Sequence, residues 1–435
     1  MLFGTAKWNR EDHLEIGGVD TVELAKKYGT PLFVYDVQHI REMARGFKQT
    51  FKEEGIKNKV VYASKAFSCL AVYKLLQEES LSCDVVSGGE LYTAIKGGMD
   101  PKEIAFHGNN KTKSELQMAI DEGVGTIIVD NFYEIQLLSE ILHAEKKTQE
   151  ILFRVTPGIS AETHDYILTG QVDSKFGFDV ASGQAEVALQ QLLADDVFIV
   201  KGVHCHIGSQ IFSPEGFIAA TDIIFDLLNT WKTAFNYTVS VFNIGGGFGI
   251  QYTDSDTPVS PAEFVKTIIH QVKENCQKRD YPLPEIWIEP GRSIVAEAGM
   301  TLYSVGSQKE VPGVRKFVSV DGGMGDNIRP ALYDATYDAL VANRQIDAAE
   351  TTELISIVGK YCESGDVLIR EIDFPKVTDA DIIALTSTGA YGYSMASNYN
   401  RNPKPAVVFV ENGQEKLVVR RETFDDLIHL DCPVD

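Results

Sequence analysis

The 435-residue sequence predicts an α/β fold: a (β/α)8, TIM-like barrel plus a C-terminal antiparallel β-sandwich or β-barrel domain completed by the N-terminal segment. Three observations predict it. Eight short apolar runs alternate with longer amphipathic stretches between about residues 59 and 291, the pattern of βαβ units closing a barrel. Each run ends in a polar or glycine-rich cluster, at the edge where such barrels carry their chemistry. From about residue 297 strand-like segments follow one another with few helical stretches between them.

In order, the eight runs are 59–63, 82–86, 103–106, 126–129, 151–155, 200–205, 240–244 and 285–288. Stretches such as 91–96, 115–122, 132–146 and 217–235 carry apolar residues at three- and four-residue spacing and predict the helices between them. An open doubly wound sheet is the competing pattern, but it normally has fewer strands and its nucleotide fingerprint is absent. The later strands fall at 300–305, 316–321, 352–358, 366–373, 382–387, 406–410 and 416–420. The strand-like 31–35 precedes the barrel and is expected to pack on the second domain. The division expected is therefore 1–36 as an N-terminal segment, 37–296 as the barrel and 297–435 as the β domain.

Composition excludes some partners. Lys and Arg number 40 against 62 Asp and Glu, a formal charge of −22, and a field of that sign repels nucleic acid and anionic membrane. Six cysteines (Cys69, Cys83, Cys205, Cys276, Cys362, Cys432) show no C-x-x-C pair and predict neither a disulfide framework nor a zinc site. No run reaches the ~18 apolar residues of a membrane span. The first fourteen residues lack the apolar core of a secretory signal. A reducing, cytoplasmic location is the expectation.

The strand ends carry the chemistry. Gly245-Gly246-Gly247 follows the seventh run and Glu289-Pro290-Gly291-Arg292 the eighth, where barrels often bind phosphate. Successive glycines let N–H groups approach an anion, although a tight turn would also want them. Arg292 offers a guanidinium fork. The dinucleotide and P-loop fingerprints both fail. Lys65 ends the first strand; pointed into a desolvating mouth it suits Schiff-base chemistry, while a snorkelling or paired lysine is the plainer fate. Glu289 could meet a ring nitrogen or a cation. A lysine, a phosphate cradle and an acid together suit pyridoxal phosphate. His204 and His206 share a strand face ~6.6 Å apart; without a third ligand in sequence a metal pair is disfavoured, no metal is expected, and a ring stacked on a flat cofactor suits His206. Cys362 is open to inert packing or to a role as positioned proton donor beside Glu363. Arg329 and Tyr333 are open to a surface role or to a binding loop among Gly322, Gly323 and Gly325.

Read together, these strings resemble the barrel-type, alanine-racemase-like pyridoxal-phosphate decarboxylases, and within them the diaminopimelate decarboxylase family, with ornithine and arginine decarboxylases as relatives. The resemblance runs from about Pro31 to Val410. It rests on Tyr62-Ala63-Ser64-Lys65, Asp84-Val85-Val86-Ser87-Gly88-Gly89-Glu90, His107-Gly108-Asn109-Asn110-Lys111, Asp173-Ser174-Lys175-Phe176-Gly177 and His204-Cys205-His206-Ile207-Gly208-Ser209. The glycine triplet, Glu289–Arg292, Asn327–Tyr333, Cys362–Asp366 and Gly389–Tyr393 complete it. It implies that Lys65 holds pyridoxal 5'-phosphate as a Schiff base, that His206 stacks on its ring and that Glu289 binds the pyridinium nitrogen. Asp84, Ser209, Gly245, Gly246, Gly247, Pro290, Gly291, Arg292 and Tyr391 are implied as further cofactor contacts. Arg292, Arg329, Tyr333, Glu363 and Tyr391 are implied for substrate, and Cys362 as the proton donor, reaching the site from the partner subunit of a homodimer. Related racemases place an arginine opposite the ring nitrogen; glutamate points to decarboxylation. Arg329 and Glu363 offer one charge of each sign for a distal carboxylate and ammonium, which favours diaminopimelate over ornithine, arginine or carboxynorspermidine. A carrier or regulatory relative without activity is disfavoured by the second domain and by the presence of both Lys65 and Cys362.

Overall fold

The computed structural model describes residues 2–159, 174–347 and 349–434. The chain divides into two compact units: one of residues 44–249 and 258–293, the other of residues 1–43, 250–257 and 294–435.

The first unit is a closed eight-stranded parallel barrel. Its strands are β1 (Asn58–Ala63), β2 (Ser82–Val85), β3 (Ile104–Phe106), β4 (Thr126–Val129), β5 (Gln149–Thr156), β6 (Phe198–His204), β7 (Val241–Asn243) and β8 (Glu285–Ile288). Each pairs in parallel with the next, and β8 pairs with β1 to close the ring. Val61, Ala105, Ile128, Leu152, Val241 and Trp287 form one buried cluster from six of the strands. The strands read as apolar runs because burial leaves no polar face to alternate with.

The helices start where their caps dictate. Ser87, Thr112, Asn131 and Ser260 each accept a backbone N–H of the first helical turn, and Thr112 forms a reciprocal capping box with Glu115. The helix Glu215–Phe235 buries Phe217, Ala220, Thr221, Ile224, Phe225, Leu228 and Trp231, the three-four spacing of one packed stripe. Such spacing makes the sequence reading and the observed helices agree to within about one turn.

The second unit is built on one large sheet. Its order is Val367–Pro375, Thr352–Val358, Arg315–Val320, Gly299–Val311, Leu32–Asp36, Ala406–Glu411 and Gln414–Val419. Leu32–Asp36 pairs with Gly299–Val311 antiparallel, so an N-terminal strand does complete the sheet. The sheet is mixed rather than wholly antiparallel. Arg315–Val320 runs parallel to Thr352–Val358, and Leu32–Asp36 parallel to Ala406–Glu411. The connection between the first of these pairs, residues 321–351, exceeds the about dozen residues that a parallel crossover needs. Leu14, Ile16, Leu24, Leu32, Val34, Met300, Leu302, Val408 and Val410 share its buried cluster. Three short strands near the N-terminus (Lys7–Trp8, Leu14–Ile16, Val19–Asp20) and the three-residue Ala339–Val341 were not expected from sequence.

Candidate active site

Within the barrel unit the C-terminal strand ends converge on Glu289, which follows β8 and is buried. Its Oε1 accepts a hydrogen bond from Asn243 Nδ2 at 2.7 Å, from the end of β7. Its Oε2 lies 3.1 Å from His204 Nε2, at the end of β6. His107, just after β3, brings Nε2 to 3.0 Å from Oε1, though out of line for a hydrogen bond. Burial alone would raise the carboxyl's proton affinity; the two histidines and their contacts reverse that and hold it well below the usual carboxylate range. Burial holds His204 neutral, with its pKa lowered to about 4. Glu289 is therefore an anion, and the His204 ring beside it is neutral.

The sequence offered His204 and His206 as a pair. The structure separates them: His204 turns to Glu289, while His206 lies beyond the end of β6 and its Nδ1 accepts the Gly246 N–H at 3.3 Å. His206 is also driven well below its ordinary pKa, first by burial and then by the Lys65 and Arg154 charges. A neutral imidazole is the form suited to lie against a cationic aromatic ring.

The glycine triplet has a steric cause. A Cβ on Gly246 would stand 2.0 Å from the Glu289 carbonyl oxygen, so only glycine lets the loop after β7 pass that close. Gly245 and Gly247 take φ of 76° and 107°. The Gly247 N–H has no acceptor among the described residues. Beside the triplet, Arg292 Nη2 donates to Ser209 Oγ at 2.9 Å, which joins the loops after β6 and β8. Gln210, next to Ser209, adopts φ 59°, a left-handed conformation that costs a non-glycine residue about 1–3 kcal/mol. Pro290 and Gly291 continue this rim: the Pro290 carbonyl accepts the Ala63 N–H at 3.1 Å, and a Cβ on Gly291 would meet the Ala63 side chain at 2.7 Å.

Lys65 sits in the single turn Ser64–Ala66 that follows β1. Asp84 of β2 accepts the Ser64 N–H at 2.9 Å and so holds that turn. Burial pushes Asp84 up to about 7, opposed by His107 and Lys65. The sequence suggested a lysine desolvated in the mouth; the structure corrects this, because Lys65 is exposed in the chain alone.

In the β unit, Arg329 is 8% exposed, and its guanidinium lies over the rings of Tyr252 and Tyr337, 4.9 and 5.5 Å from their centroids. It donates to Tyr337 Oη at 2.5 Å, and no carboxylate among the described residues pairs with it. Tyr333 ends the same short helix and is exposed. Asp366 accepts the Met324 and Tyr361 N–H groups at 2.6 and 2.7 Å, tying the Arg329 loop to the loop of Cys362 and Glu363. Gly325 makes this possible, since a Cβ there would meet Tyr361 Oη at 2.1 Å. Cys362 is exposed; its N–H donates to Asn400 at 3.1 Å, and Glu363 accepts from Tyr399 Oη. Tyr391 is half-buried with φ 59°. Of the strings read from sequence, Asp173 lies outside the described residues.

Sequence reasoning placed His107 in a strand-end string without a role, and it missed Asn243, Tyr252 and Tyr337. Their partners come from distant strands or loops, so only the ring order of the barrel could have brought His107 and Asn243 together.

The residues present fit pyridoxal phosphate. A buried anion stands ready for a ring nitrogen, a neutral imidazole for the ring face, and an open N–H with a serine–arginine pair for a phosphate. The comparisons with known proteins agree. Residues 37–296 match the family model described as "Pyridoxal-dependent decarboxylase, pyridoxal binding domain". A diaminopimelate decarboxylase of Bacillus subtilis is 57% identical over all of this chain and 98% of that protein. One of Staphylococcus aureus is 44% identical over 98% of this chain and 99% of its own. The crystal structure of a diaminopimelate decarboxylase from M. jannaschii, in complex with L-lysine, superposes with a TM-score of 0.93 at 36% identity, covering 100% of this chain and 99% of that one. The chain belongs to the diaminopimelate decarboxylase family of pyridoxal-dependent decarboxylases.

Proposed function

We propose that this chain removes carbon dioxide from the D-configured carbon of meso-2,6-diaminoheptanedioate, leaving L-lysine, as the last step of lysine biosynthesis. The observation that carries the substrate is Arg329. A buried guanidinium whose described neighbours are tyrosines is a charge in want of an anion. The carboxylate of the substrate carbon that does not react supplies one; a diamino acid such as ornithine does not.

When bound, pyridoxal phosphate supplies the electron sink for the carbon that loses carbon dioxide. In this reading Lys65 would hold it covalently, and Asp84 keeps the lysine's turn in position. His206 covers one face of the ring. Glu289 keeps a proton on the ring nitrogen, because a buried anion there favours the cationic form. Ser209, Gly245, Gly246, Gly247, Pro290, Gly291, Arg292 and Tyr391 hold the cofactor, largely at its phosphate. Arg292, Arg329, Tyr333, Glu363 and Tyr391 orient the substrate, and Cys362 delivers a proton to the carbon after carbon dioxide departs. The cofactor-holding part is taken as 37–296 and the β domain as 297–435, with 1–36 packing on the latter.

We further propose a cytoplasmic homodimer whose sites draw on both chains, with neither nucleic acid nor membrane as partner. The exposure of Cys362 and Glu363 supports supply to a neighbouring subunit. No described helix is long and apolar enough to cross a membrane. Mixing inactive Lys65→Ala with inactive Cys362→Ala subunits is expected to restore part of the activity through mixed dimers. No recovery after verified subunit exchange would refute shared sites.

Substrate preference tests the reading as a whole. The kcat/KM for diaminopimelate is expected to exceed those for ornithine, arginine and carboxynorspermidine by roughly 10²-fold or more, the discrimination that an unpaired buried polar group imposes. Preference for any of the other three would replace diaminopimelate as the substrate.

A further inference from the structure

We infer that His107 and His204 are positioning residues that keep the shared proton on the cofactor's ring nitrogen rather than on Glu289. This rests on the proposed reading in which Glu289 faces that nitrogen. The geometry is specific. Three nitrogen groups from three strand ends meet one carboxylate: Asn243 on Oε1 at 2.7 Å, His204 on Oε2 at 3.1 Å, and His107 beside Oε1 at 3.0 Å. The two imidazole rings pack edge to face, their centroids 4.9 Å apart at 81°, so each braces the other. Both rings and the carboxylate are buried.

The chemistry follows from what a buried carboxylate does without donors. Desolvation raises its proton affinity, and beside a pyridinium the proton would then pass from nitrogen to oxygen, leaving a neutral acid against a neutral ring. A neutral ring is the poorer electron sink. Donors aimed at the carboxylate oppose the transfer. His204 can serve as one: burial favours its neutral form, Nε2 faces Glu289, and its Nδ1 is buried with no hydrogen-bond partner among the described residues. With the single ring proton on Nε2, the imidazole donates to Oε2 while adding no net charge to the site. The other ionisable groups coupled electrostatically to the cluster are Asp84, Glu90, Arg154, Cys205 and His206. Asp84 hydrogen-bonds the Ser64 N–H, and Arg154 lies over the ring of Phe176, 4.3 Å from its centroid. Neither makes a described hydrogen bond to Glu289.

The test loads wild-type and variant protein with pyridoxal phosphate labelled with ¹⁵N at the ring, without substrate, and reads the ¹⁵N resonance. Wild type is expected at the protonated position. The double variant His107→Phe and His204→Phe, which keeps aromatic volume but removes the His204 donor and the His107 nitrogen beside the carboxylate, is expected to move toward the unprotonated position. Its kcat is expected to fall with the protonated fraction, roughly tenfold for each tenfold change in the balance between ring and carboxylate, with KM changed less. His204→Gln, which retains an N–H donor, is expected to stay protonated. A double variant that keeps its ring nitrogen protonated, or that fails to take up cofactor at all, would overturn the inference, the second outcome making the pair supports of binding. Glu289→Gln separates the two layers. If it leaves the ring protonated, the reading of Glu289 itself fails; if it deprotonates the ring and the histidine variants do not, only the role of the histidines fails.

Discussion

Replacing Lys65 with alanine is expected to abolish both turnover and the visible absorbance of protein-bound pyridoxal phosphate. Activity should fall at least about 10³-fold, a loss of about 4 kcal/mol in transition-state stabilisation. Borohydride reduction of the wild type should attach the cofactor to the peptide containing Lys65, and the variant should show no such adduct. Lys111 is no ready substitute. Lys111, on the loop after β3, is buried and spends its three donors on Glu134 at 2.7 Å and on the Gly108 and Ile128 carbonyls at 2.8 Å each. It braces the His107 loop and has no donor left over. Lys65, by contrast, is exposed on a turn held by Asp84. Retained turnover with cofactor fixed on another lysine would remove Lys65 from its proposed role.

Arg329→Met is the second large effect. Methionine keeps much of the side-chain volume between Tyr252 and Tyr337 while deleting the charge. Breaking a buried charge pair costs roughly 3–5 kcal/mol, so kcat/KM for diaminopimelate is expected to fall roughly 10²–10³-fold or more. Turnover of ornithine, which has no distal carboxylate to lose its partner, should change far less. The contrast between the two substrates is the measurement. Equal losses on both would make Arg329 a structural cation stacked on tyrosines and nothing more.

The eight barrel strands were readable in the sequence because a parallel barrel buries both faces of each strand. β4 and β8 match their expected spans, and the other strands differ only at their ends. The helices were readable from apolar spacing and from caps such as Thr112 with Glu115. Short edge strands were not: Ala339–Val341 has three residues and no alternation to detect, and its pairing with Ile382–Leu385 is set by tertiary context. The site divided the same way. Lys65, Glu289, His206 and Arg292 stood out because each lies within a few residues of the end of an apolar run. The cluster around Glu289 did not, since β3, β6 and β7 each contribute one group and only barrel closure makes them neighbours. Arg329 was legible as a candidate on a glycine-rich loop, but its enclosure by Tyr252 and Tyr337 was not. Tyr252 reaches it from a segment, residues 250–257, that lies some eighty residues earlier yet packs with the β unit. Lys65 shows the converse. Its position was readable, but the expected desolvation was wrong for the chain alone, because burial at a mouth depends on what covers it.

Product analysis tests the central claim most directly. Purified protein incubated with meso-diaminopimelate and added pyridoxal phosphate is predicted to release carbon dioxide and L-lysine in equal amounts. Release of carbon dioxide with D-lysine as product, or no release from diaminopimelate while another basic amino acid is decarboxylated, would contradict it.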